Sequence, residues 1–161
     1  MENLIKVGMA DLKCSNHPGV LTTLGLGSCV GIALYDSVSK VIGLAHVMLP
    51  SSLQARNNIN DAKFADTAIV KLVTEMVKIG ANRNRIIAKL AGGAQMFAFT
   101  ESSDMMRIGS RNVLSAKDKL EELRIPVIAE DTGGNYGRTI ELNSDDGILM
   151  VKTIGHGIKN L

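Results

Sequence analysis

Short apolar runs lie at both ends of the chain and two stretches of helical periodicity lie between them, an order that few architectures satisfy. Residues 6–10, 20–24, 30–35 and 41–49 carry apolar and β-branched side chains at strand length, with polar or glycine-bearing breaks between them. Residues 86–91, 127–129, 138–142 and 148–154 read the same way, the last two joined through the turn residues Asn143-Ser144-Asp145-Asp146-Gly147. From 61 to 79, Phe64, Ala68, Leu72 and Met76, with Ala65, Ile69, Val73 and Val77 beside them, predict an amphipathic helix that Gly80 caps. A second helix is predicted over 110–123, with Val113, Leu114, Ala116, Leu120 and Leu123 inward. Strands that open and close a chain around two main helices predict an α+β fold, a layered α/β sandwich whose sheet is mixed and largely antiparallel.

At 161 residues, a single core can bury most of the apolar surface, so one domain over 1–161 is expected. Aromatic residues make up only 3% and the net charge is +2, which leaves neither stacking platforms nor a phosphate-attracting field, so nucleic acid is not expected as a partner. No apolar stretch is long enough to insert into a membrane and the start lacks a secretory profile, which predicts a cytoplasmic protein. Cys14 and Cys29 are then expected as free thiols. No P-loop or dinucleotide fingerprint occurs, and no cofactor or metal is expected: Cys14 and His17 have a zinc-like spacing but lack two further ligands, and Asp145 and Asp146 suit a turn. Residues 51–60 are polar and read as a surface loop.

Chemistry concentrates in Thr23-Leu24-Gly25-Leu26-Gly27-Ser28-Cys29-Val30, where small residues allow a tight bend just before a cysteine that begins an apolar strand. Backbone N–H groups near Gly27, Ser28 and Cys29 can point at a developing oxyanion. If the two strands that follow form a hairpin centred between Ser37 and Val38, Cys29 falls opposite His46, close enough for thiol and imidazole to bond. A register slip of one residue would put the two on opposite faces. Thr23, folded back by Gly25-Leu26-Gly27, can hold the far imidazole nitrogen through its hydroxyl or its carbonyl, completing nucleophile, base and orienting group. A thiolate–imidazolium pair would raise the reactive fraction of the thiol. The other reading of each residue is plain: a cysteine on an apolar strand can be a small buried hydrophobe, and a histidine between Ala45 and Val47 a core residue. Gly92-Gly93 and Gly133-Gly134 read as turns, the first with some contribution to a cleft, and Met96, Phe97 and Phe99 as part of a partner surface or of the core.

An ordered set of segments resembles the CheD family of chemoreceptor glutamine deamidases: Lys6-Val7-Gly8, Leu24 through Val30, Ala45-His46-Val47-Met48-Leu49-Pro50, Ala91-Gly92-Gly93-Ala94, Gly109-Ser110-Arg111-Asn112-Val113 and Glu130-Asp131-Thr132-Gly133-Gly134-Asn135. The resemblance implies a catalytic Cys29, His46 and Thr23, and a fold similar to bacterial toxin deamidases. Its implied substrates are glutamines on the cytoplasmic helices of methyl-accepting chemotaxis receptors, and its implied partner is the CheC phosphatase. Receptor methylesterase activity is implied for some members. A transglutaminase-like or thiol-protease-like enzyme and a noncatalytic adaptor that binds the phosphatase are the alternatives.

Overall fold

Side-chain alternation along a central hairpin organises the molecule into layers. The structure is a computed structural model that describes residues 3–53, 60–96 and 107–161. In chain order its strands are β1 (Asn3–Lys6), β2 (Asp11–Ser15), β3 (Gly19–Leu26), β4 (Val30–Asp36), β5 (Val41–Val47), β6 (Ile87–Gly92), β7 (Val127–Thr132), β8 (Arg138–Asn143), β9 (Leu149–Thr153) and β10 (Gly157–Asn160). Helices α1 (Ala65–Lys78) and α2 (Ile108–Glu122) lie before and after β6. One sheet runs β1-β3-β8-β9-β10 and the other β2-β5-β4-β6-β7. Each contains one parallel pair, β1 with β3 and β6 with β7, and is otherwise antiparallel. The expected α+β sandwich is therefore present, built from two mixed sheets.

Both faces of β4 and β5 are buried, and alternate residues serve different cores. Val30, Ile32 and Leu34, with Val41, Ala45 and Val47, pack against Ala68, Ile69, Leu72 and Met76 of α1 and Ala116 and Leu120 of α2. Ala33, Tyr35, Ile42 and Leu44 turn the other way, toward Leu21, Ile140, Leu142 and Val151 of the facing sheet. Each large aliphatic side chain buried in these layers contributes about 1.5–3 kcal/mol. The middle sheet is thus clamped from two sides, which makes its strand ends a rigid platform.

Helix α1 follows its predicted stripe, and Gly80 sits just past it at φ 118° while the N–H of Ala81 closes on the carbonyl of Met76 at 3.0 Å. Val77, however, is on the exposed side, and so is Leu114 of α2, which the sequence reading turned inward. On α2 the inward stripe is Gly109, Asn112, Ala116 and Leu120. The first predicted strand, over 6–10, is displaced: β1 ends at Lys6, and Ala10 takes a left-handed conformation at φ 57° that turns the chain into β2. Cys14, for which the sequence predicted no strand, lies in β2 opposite Gly43. Of the expected loop over 51–60, positions 54–59 fall outside the described residues, and so do Phe97 and Phe99. Among the described residues, no helix is long and apolar enough to cross a membrane.

Candidate active site

The β4–β5 hairpin brings its two chemical residues to one face by a register different from the expected one. Its turn pivots between Val38 and Ser39, with Lys40 left-handed at φ 58°, so Gly31, not Cys29, lies opposite His46. The correction moves the pairing by two positions and so preserves the face. Cys29 becomes the diagonal neighbour of His46, a relation that spans about 7–8 Å between backbones in an antiparallel ladder. His46 shares its parity on β5 with Ile42 and Leu44, and Cys29 belongs to the same intersheet cluster as Leu26, Ala91 and Ile140. Gly31 presents no side chain opposite the imidazole, and a Cβ there would meet Ile140 Cδ1 at 2.5 Å, so the layers close tightly beside the pair.

Thr23 reaches this face from the other sheet. Strand β3 pairs with β8 through Thr23 opposite Ile140, then breaks register before Leu26 opposite Arg138, and Gly25 occupies the irregularity at φ 69°. The bend lets the chain leave one sheet and enter the other within a few residues. Thr23 Oγ1 lies 2.7 Å from His46 Nδ1 and 2.7 Å from the carbonyl oxygen of Val7. A hydroxyl has one proton, and a carbonyl can only accept, so the proton goes to Val7 and the hydroxyl accepts from Nδ1–H. The opposite assignment would press two lone pairs together at the Val7 carbonyl. The geometry therefore selects the Nδ1–H tautomer and leaves the Nε2 lone pair bare. Nε2 is buried and has no hydrogen-bond partner among the described residues. Of the two orienting groups that the sequence left open, the hydroxyl, not the carbonyl, holds the ring.

The electrostatics bias the resting pair toward neutrality. Burial pushes the Cys29 thiol above its ordinary pKa, against a smaller pull from its own backbone N–H. Burial also pushes the His46 imidazole down. Burial thus works against the preformed thiolate–imidazolium pair expected from the residue types.

The backbone around Cys29 is held from several directions. The Cys29 carbonyl accepts from the N–H of Gly93 at 2.8 Å, and the Gly27 carbonyl from the N–H of Ala94 at 2.8 Å. Gly92 and Gly93 have φ of 104° and 65°, and a Cβ on Gly92 would strike the Cys29 carbonyl. These glycines back the Cys29 peptide, and Gly93 also lines a surface pocket with Ser110, Val113 and Gly133. Met96 packs over Gly27 and remains 45% exposed. Beside the β3 irregularity, a groove of about 650 Å³ is lined by Leu24, Gly25, Tyr136, Arg138, Lys152 and Ile154.

Sequence reasoning missed Asn112, which is fully buried in α2 and donates from Nδ2 to the carbonyls of Ser28 and Met48, each at 3.0 Å. The signal was available: Asn112, Ala116 and Leu120 recur at helical spacing, so a polar amide stands in an otherwise apolar stripe. Three residues on, Ser115 Oγ donates to the Pro50 carbonyl at 2.5 Å.

Comparison with known proteins matches residues 48–153 to the family described as CheD chemotactic sensory transduction. That span does not include Thr23, Cys29 or His46. A probable chemoreceptor glutamine deamidase CheD of Caldanaerobacter subterraneus subsp. tengcongensis is 61% identical, over 97% of this chain and 96% of its own. A protein of the same name from Lachnoclostridium phytofermentans is 55% identical over the whole of both chains. The chemoreceptor glutamine deamidase CheD of Halalkalibacterium halodurans is 52% identical, again over the whole of both. The Bacillus licheniformis hypothetical protein YfiH aligns in three dimensions with a TM-score of 0.49 at 17% identity, over 76% of this chain and 50% of that one. On the family match and on identities sustained across full-length relatives, the chain belongs to the CheD family.

Proposed function

We propose that the chain is a cytoplasmic protein-glutamine deamidase, a single domain over 1–161, that converts glutamine side chains on methyl-accepting chemotaxis receptors to glutamate. Cys29 is the nucleophile, His46 the general base and acid, and Thr23 the orienting group. The observation that carries this reading is the Val7–Thr23–His46 hydrogen-bond chain, because it leaves a buried imidazole lone pair with no partner among the described residues, on the face that Cys29 shares. A core histidine would satisfy both ring nitrogens, since an unpaired buried acceptor costs about 1–3 kcal/mol. The names borne by the full-length relatives supply the substrate class.

In this mechanism the thiol proton moves from Sγ to Nε2 as Sγ bonds to the carboxamide carbon, and the carbonyl oxygen becomes an oxyanion near the Cys29 N–H. The imidazolium returns that proton to the amide nitrogen, the C–N bond breaks and ammonia leaves. The resulting thioester is attacked by a water whose proton passes to Nε2. The C–S bond then breaks, the proton returns to sulfur, and a glutamate carboxyl is released. Because an ester carbonyl reacts with the same thiol, receptor methylesterase activity is part of the proposal, as is binding of a CheC-type phosphatase that the family resemblance implies.

Mass spectrometry of receptor cytoplasmic fragments incubated with the protein tests the reading. Each modified glutamine gains about one dalton, and Cys29→Ala, correctly folded, is expected to produce no gain. Conversion by Cys29→Ala at the wild-type rate would overturn the catalytic assignment and favour the adaptor.

A further inference from the structure

We propose that Asn112 is a positioning residue for acyl transfer: by holding the Ser28 carbonyl it aims the Cys29 N–H at the oxyanion that forms on the carbon bonded to Sγ. This inference rests on the reading of Cys29 as nucleophile and assigns a role that the three residues above do not fill. Asn112 is completely buried, and its single NH2 group serves two carbonyls from different segments, Ser28 just before the nucleophile and Met48 just after the base strand. Its Oδ1 is buried without a partner among the described residues. An amide kept for general hydrogen-bond satisfaction would use its acceptor too, so the position is explained by its donors.

The peptide geometry supplies the link to chemistry. In a trans peptide the C=O and the following N–H point in opposite directions, and among the described residues the cis bond is His17–Pro18. Asn112 lies on the helix side of the middle sheet and takes the Ser28 carbonyl there, so the Cys29 N–H turns to the other side. That is the intersheet side, where the thiol lies. The same N–H interacts with its own sulfur and opposes the effect of burial on it. An N–H next to Sγ is within reach of an oxygen on a carbon that Sγ attacks. Gly109, one turn earlier on α2, is in contact with the backbone of Gly93 and Ala94, which in turn bind the carbonyls of Cys29 and Gly27. The first half of α2 therefore sets the attitude of the whole Gly27-Ser28-Cys29 segment, and Asn112 gives it a polar grip on the Ser28–Cys29 peptide.

Alkylation separates this role from simple packing, because displacement on iodoacetamide passes through no oxyanion. In a full-length Cys14→Ser background, Asn112→Ala is expected to lower kcat for a receptor cytoplasmic fragment by about 10- to 100-fold, with KM within about twofold. The rate of Cys29 alkylation and its pH profile should stay within about threefold of the parent. Asn112→Ser, whose hydroxyl can satisfy one carbonyl and which is the readout if alanine does not fold, should lose about tenfold in kcat with alkylation again unchanged. A kcat within about threefold of the parent in the folded variants overturns the inference, and so does a parallel fall of alkylation and kcat, which would mean that Asn112 places the thiol itself. If Cys29→Ala is inactive while the Asn112 variants match the parent, this inference alone fails. If Cys29→Ala is active, the underlying reading fails with it.

Discussion

Replacing Thr23 with valine keeps its shape and removes the hydroxyl that joins the two sheets at the imidazole. Two buried groups then lose their partner, the Val7 carbonyl and His46 Nδ1–H, both now bonded at 2.7 Å. An unsatisfied buried group costs about 1–3 kcal/mol, so a loss of about 2–4 kcal/mol is expected after partial relaxation. For a domain of this size that lowers Tm by about 4–16 °C. The rate effect has a separate origin. In the proposed transition state His46 is an imidazolium, and a hydrogen bond to a charged group is worth about 1.5–3 kcal/mol, which converts to about a 10- to 160-fold fall in kcat. Thr23→Ser, which retains the hydroxyl, should remain within about fivefold of wild type. The assay is the initial rate of glutamine-to-glutamate conversion by mass spectrometry, paired with a thermal melt of each variant. Wild-type kcat in Thr23→Val would refute the argument that the hydroxyl selects the tautomer. A loss in Thr23→Ser as large as that in Thr23→Val would refute it too, because the serine keeps the hydroxyl.

Three further outcomes are expected. Since burial holds the Cys29 thiol protonated and His46 neutral, alkylation of Cys29 should keep rising with pH beyond the ordinary thiol range; a plateau near neutrality would mean that the thiolate–imidazolium pair preforms. Gly109→Ala places a Cβ 2.6 Å from the Gly93 backbone, which cannot yield as a side-chain tip does, so it should cost about 2 kcal/mol or more in urea unfolding and lower kcat; an unchanged midpoint and rate would contradict the close packing of α2 on the Cys29 support. Burial alone would raise the Asp36 carboxyl, but bonds from Arg85, Asn82 N–H, Ser39 and Val38 N–H outweigh it and hold it well below the usual carboxylate range. A depressed folded pKa contributes stability that is complete above the ordinary value and is lost as pH falls through the folded one, so the urea midpoints of wild type and Asp36→Asn should converge on acidification below about pH 4; parallel curves would refute the linkage.

The helices and the β4–β5 hairpin were legible because burial on both faces or on one stripe imposes a repeating apolar pattern. Strands β2 and β10 were not: each lies at a sheet edge, and β10 exposes all its residues, so neither needs alternation. The hairpin register escaped by two positions because Lys40 adopts a left-handed conformation that no local composition announces. Cys29 and His46 stayed on one face because the period of a strand is two; a shift of one would have separated them. That Thr23 meets His46 through its hydroxyl depends on how two sheets stack, which is tertiary information. Asn112 was visible as an interruption of an apolar stripe, but its partners, the Ser28 and Met48 carbonyls, are remote in sequence.

The Thr23–His46 bond crosses from one sheet to the other, and no single layer holds the whole constellation. Secondary structure could persist in each sheet while a slight parting of the layers set the imidazole free to turn. Under the proposed mechanism, activity is then a gauge of interlayer registry, finer than any measure of strand or helix content, and substitutions at Ile140, which pairs with Thr23, or at Leu142, two residues along the same strand, would be felt at the sulfur as a change in the aim of its base.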